Sequence, residues 1–86
     1  MNIQYTIRKK DLIHEKFIIK EGNIKEAKDV IFKALMKDFK VNELISKNMA
    51  EKASAEAIYG NVSMYTKRVC FDKDTGTSIS VKKLKK

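Results

Sequence analysis

The chain has 86 residues, with 19 Lys and Arg against 11 Asp and Glu, a formal net charge of +8, and neither Pro nor Trp. Its apolar share of 43% suffices to order one small domain, 1–86, but a chain of this size builds only a thin core with little room for a deep substrate cavity. A lone cysteine, Cys70, excludes an intrachain disulfide framework and a Cys-rich zinc site, and no apolar run approaches the roughly 20 residues of a membrane span or forms a signal-peptide core, so a soluble cytoplasmic protein without a cofactor is expected.

Residues 2 to 8 alternate, Ile3, Tyr5 and Ile7 against Gln4, Thr6 and Arg8, which is the period of a half-buried strand. Beyond the polar break Lys9-Lys10-Asp11, the bulky Phe17, Ile18 and Ile19 predict a second strand over 15–20. Leu12, Ile13, Lys16 and Phe17 also fall at helical spacing, so a short helix over 11–20 is the rival reading.

Gly22 interrupts this pattern, and Asn23 followed by Glu26 has the form of a capping box, placing a helix start there. Ile24, Ala27, Val30, Ile31, Ala34, Leu35 and Phe39 make one apolar stripe, predicting a helix to about Lys40. A second stripe, Val41, Leu44, Ile45, Met49, Ala53 and Ala57, follows at once, with Asn42 as a cap and Gly60 as a stop. No Gly or Pro separates the stripes, so one bent helix competes with two.

From Asn61 the composition becomes strand-like and predicts a β-hairpin that turns at Asp72 to Gly76, where Gly76 supplies a positive φ. Tyr65, Val69 and Phe71 should share a face of its first strand, with Ile79 and Val81 on the second, while the tail Lys82 to Lys86 should fray. The sum is ββααββ, an α+β domain with two helices packed on one face of a small antiparallel sheet made of two hairpins.

Charge is unevenly divided among these elements. Residues 1–20 carry +3, residues 21–57 carry 0 and residues 58–86 carry +5. The helices are self-balanced, with Glu21 and Lys25, Asp29 and Lys33, and Glu43 and Lys47 spaced as solubilising pairs. All excess positive charge therefore falls on the strands, turns and tail, and the candidate binding residues are Arg8, Lys9, Lys10, Tyr65, Lys67, Arg68, Lys82 and Lys83. Such a surface attracts polyanions by counterion release, and Tyr5, Tyr59, Tyr65 and Phe71 would stack on bases if exposed. The competing reading is that lysines protect sheet edges and the aromatics fill the core.

Other patterns carry less. Gly60-Asn61-Val62-Ser63 before Thr66 and Arg68 lacks the small residue a helix-turn-helix needs, since Glu56 stands in its place. Asp72-x-Asp74-x-Gly76 begins like a calcium loop but puts Lys83 where a bidentate Glu belongs. Cys70 and His14 have no third residue to orient them as nucleophile and base, and His14 has no partners for a metal site. The expected function is non-enzymatic: binding of nucleic acid or a nucleoprotein complex through the basic sheet surface. A small inhibitor of the kind carried by phages and mobile elements, docked on an acidic patch of a larger nucleic-acid enzyme, is the alternative. The enzymatic alternative is metal-free ribonuclease chemistry by Tyr65, Lys67 and Arg68, with or without His14. Free sheet edges also make a homodimer an expected arrangement.

Overall fold

The structure, a computed structural model, describes residues 2–10, 13–59 and 62–84. Strand β1 (Asn2–Lys9) pairs antiparallel with β2 (Ile13–Lys20) on one side and β4 (Thr77–Leu84) on the other, and β3 (Lys67–Asp72) closes the sheet in the order β2-β1-β4-β3. Helices α1 (Ile24–Lys37) and α2 (Glu43–Tyr59) connect the two hairpins, so the order is ββααββ and the fold is α+β. Register follows from the alternation in β1: Ile3 lies opposite Ile19, Tyr5 between Phe17 and Val81, and Ile7 beside Ile79, all on the face the helices cover. With Ile31, Leu35 and Phe39 they form the core.

The strand reading of the second element holds, and β2 begins earlier than residue 15; the helix alternative over 11–20 is displaced. Pairing with β1 keeps Phe17 and Ile19 in phase with the core, which a helical turn would not do. At the other end of β4, Lys82 to Leu84 are strand rather than frayed tail because β1 pairs with them as far as Asn2 opposite Leu84. Lys85, Lys86, Gly60 as helix stop and the Tyr59 side chain lie outside the described residues.

Asn23 caps α1 by accepting from the Glu26 N–H at 3.3 Å. The Glu26 carboxylate accepts from the Asn23 side-chain amide at 2.8 Å rather than from its backbone, which donates to Lys20. Asn42 caps α2 through the Ile45 N–H at 2.9 Å. Two helices form rather than one bent rod, and α1 stops short of Lys40. The break is made without Gly or Pro: Lys40 itself adopts φ 57°, the left-handed conformation, so that Phe39 and Val41 on either side are both buried.

Two predicted faces need correction. Leu44 is 69% exposed, because α2 instead buries Ser46, Met49, Ala50, Ala53, Ser54 and Ala57. Small residues let this helix approach closely, and the serine hydroxyls are satisfied by carbonyls of their own helix region, Ser46 to Val41 at 3.1 Å and Ser54 to Ala50 at 2.8 Å. On β3, Val69 and Phe71 do not share a face. The register shifts between Arg68 and Cys70, a β-bulge that buries Val69 and Cys70 together and turns Phe71 outward with Arg68. Tyr65 lies ahead of the strand altogether.

Candidate polyanion-binding face

One face of the sheet carries the helices; the other is uncovered. Strict alternation assigns the uncovered positions, which are the even-numbered residues of β1, β2 and β4, while the bulge adds Arg68 and Phe71 from β3. Across the middle of this face run Lys16, Thr6, Ser80 and Arg68 in register, and beside them His14, Arg8, Ser78 and Phe71. Lys20, Ile18, Gln4 and Lys82 extend it toward the other end. No Asp or Glu occupies any of these positions, since the acidic residues of the strands, Glu15 and Asp72, both point to the helix side.

Three cations on the opposite side have partners within the fold. Lys9 donates to the Phe39 carbonyl at 3.2 Å, where a positive charge also suits the end of α1. Lys67 reaches Glu56 at 3.9 Å and Lys83 reaches Glu21 at 3.5 Å. Among the described residues, none of Arg8, Lys16, Lys20, Arg68 or Lys82 enters an ion pair. The sheet thus sorts its positive charge into a paired set behind and an unpaired set in front.

This sorting divides the residues expected from sequence. Arg8, Arg68 and Lys82 lie on the uncovered face; Lys9, Lys67 and Lys83 lie behind it. Lys10 sits in the β1–β2 turn with φ 47°, its N–H donating to the Gly76 carbonyl at 3.2 Å, so it stands at the end of the sheet. Tyr65 is 83% exposed in the segment before β3, held by its N–H donating to the Ser63 hydroxyl at 3.2 Å. Lys16, Lys20 and the exposed Ile18, at 58%, were missed by sequence reasoning, whereas Phe71, expected to stack on bases only if exposed, is 54% exposed. The phase of β2 follows from its pairing with β1 and would have found Lys16, Ile18 and Lys20, whereas the bulge that exposes Phe71 has no signal in the residues themselves.

Phe71 is paired with Arg68, whose guanidinium lies 5.0 Å from the ring centroid. The buried aromatics are of a different kind: Tyr5 faces the helices, and burial raises its phenol above the ordinary value.

The residues named for enzymatic chemistry are spread over both faces of the sheet. Cys70 faces the helix layer, its thiol donating to the Met49 carbonyl at 3.5 Å, while His14 is on the uncovered face of the far edge strand. Burial pushes the Cys70 thiol up to about 11, opposed by the Lys52 charge and aided by a smaller contribution from Glu56, which disfavours the thiolate at neutral pH. Tyr65, Lys67 and Arg68 belong to the β3 side and His14 to β2, separated by about 14 Å of sheet width, and Lys67 faces away from both. Among the described residues there is no cluster of metal-ligating side chains and no helix long and apolar enough to cross a membrane. No protein-family model matches the sequence, and no curated protein or solved structure is significantly similar to it.

Proposed function

We propose that this protein is a non-enzymatic binding module whose uncovered sheet face engages nucleic acid, alone or within a nucleoprotein complex. The observation that carries the reading is the absence of acidic residues from a face bearing Arg8, Lys16, Lys20, Arg68 and Lys82, while the lysines behind it are bonded to carboxylates or to a carbonyl. Unpaired cations on one surface neutralise phosphates and release condensed counterions, which is the main source of affinity in sequence-independent binding. Edge protection alone does not account for the pattern. Arg8 and Lys82 are on the two central strands, where no edge needs protecting.

The test is fluorescence anisotropy of labelled DNA and RNA across a salt series. Binding at low salt that weakens linearly in log–log form, with a slope of roughly 0.7 to 0.9 per phosphate contacted, supports the proposal. A protein that ignores both polymers at low salt would contradict it and direct attention to an acidic protein surface as the partner.

A further inference from the structure

Resting on that reading, we infer that the preferred ligand of the uncovered face is a single strand, with a base stacked on Phe71, rather than a duplex. Three features of the same surface lead there. The first is relief. Between the edge strands, Thr6, Ser78 and Ser80 form a low central strip bordered by the longer Arg8, Gln4 and Lys82 on the same two strands, and both helices lie behind the sheet. Reading a duplex groove takes an inserted helix or β-ribbon, and none stands on this side.

The second feature is Phe71. A phenylalanine left 54% exposed on a strand makes poor use of its apolar surface in folding. The Arg68 guanidinium lies over that ring, 5.0 Å from its centroid, which leaves the guanidinium plane and the other face of the ring as stacking surfaces. Such a pair offers a base a π-surface and its phosphate a charge at once, which is the chemistry of single-strand binding. In a duplex the base faces are already stacked on one another, and an exposed ring meets only charged backbone.

The third feature is the distribution of cations around that strip. Lys16 and Arg68 stand at opposite ends of one cross-strand row, about 14 Å apart, with Arg8 in the neighbouring row and Lys82 and Lys20 farther along the strands. A flexible strand crossing the sheet can bend its phosphates toward these positions while its bases turn to Phe71 and Ile18. The phosphates of a rigid duplex curve away from a flat surface.

The test compares a single-stranded oligonucleotide with a duplex of equal length at one low salt concentration, using wild type, Phe71→Ala, Phe71→Leu and Phe71→Trp. Wild type is expected to bind the single strand at least about tenfold more tightly. Phe71→Ala and Phe71→Leu should both lose about 5- to 100-fold of single-strand affinity, because neither retains a π-face, with little change toward the duplex. Phe71→Trp should retain single-strand binding and, as the sole tryptophan of the chain, lose fluorescence when a base stacks on it. Thermal melts check that the variants are folded; since the ring is largely exposed, their Tm should stay close to that of wild type. Equal or tighter duplex binding, or full single-strand affinity in Phe71→Ala, would overturn the inference while leaving the polyanion reading standing. Failure of wild type to bind either polymer would overturn both.

Discussion

Lys40 is the residue on which the helical layer depends. At φ 57° it lets α1 end and α2 begin within a few residues, and its neighbours Phe39 and Val41 enter the core. A side chain in that conformation costs about 1 kcal/mol relative to glycine. Lys40→Gly is therefore expected to stabilise the protein by about that amount, raising Tm by several degrees, whereas Lys40→Val should lower it. A Lys40→Gly protein that melts below wild type would show that the lysine side chain contributes more than its backbone strain takes away. Glu15 presents a second residue-scale test. Desolvation, a hydrogen bond shared with Asp38 and the Asp38 charge together raise its carboxyl above the usual 4.5. An acid whose pKa is higher in the folded state binds its proton more tightly there, so the fold gains stability as pH falls through the raised value, and the gain is complete below the unfolded value. Glu15→Gln should therefore melt above wild type at pH 7, with the difference closing as the pH falls below the unfolded carboxyl value. A gap that does not change with pH would exclude the carboxyl pair as its cause.

At the scale of elements, capping and turn chemistry are testable one position at a time. Asn23→Ala removes the acceptor of the Glu26 N–H and should cost about 1 kcal/mol in chemical denaturation. Gly76 adopts φ 74°, and a Cβ there would lie 2.5 Å from atoms of the Lys10 side chain. Gly76→Ala should destabilise the β3–β4 hairpin by about 1–2 kcal/mol, and adding Lys10→Ala should restore little of it, because the flexible lysine stem can move whereas the backbone strain persists. Full restoration by the second change would assign the cost to crowding instead. Both features were legible in the sequence because each rests on a local rule, a cap three residues from its partner or a glycine at a turn. The same holds for β1 and α1, whose periodicities are unbroken. Elements governed by tertiary packing were less legible. Apart from Met49 the fully buried side of α2 is made of Ala and Ser, so a search for large apolar residues also selects Leu44, which is solvent-facing. On β3, period-2 reasoning places Val69 with Phe71, but one bulge changes the phase and moves an aromatic residue from the expected core to the open surface.

For the whole molecule, the division of charge between helices and strands was visible in sequence, but its sidedness was not. Lys67 and Arg68 are adjacent in the chain and lie on opposite faces of the sheet, one paired with Glu56 and the other stacked near Phe71. Lys16 and Lys20 joined the candidate face only once β2 was in register with β1. The central claim is thus that the position of charge, rather than the total of +8, directs the protein to its ligand. The most direct measurement compares two double reversals of equal net charge in nucleic-acid binding: Arg8→Glu with Arg68→Glu on the uncovered face, and Lys33→Glu with Lys47→Glu on the helices, where Lys33 already lies 3.3 Å from Asp29. The face reversal should abolish binding at low salt, whereas the helix reversal should retain most of the affinity and the wild-type salt slope. Equal losses from the two pairs would contradict the account and reduce the interaction to net charge alone.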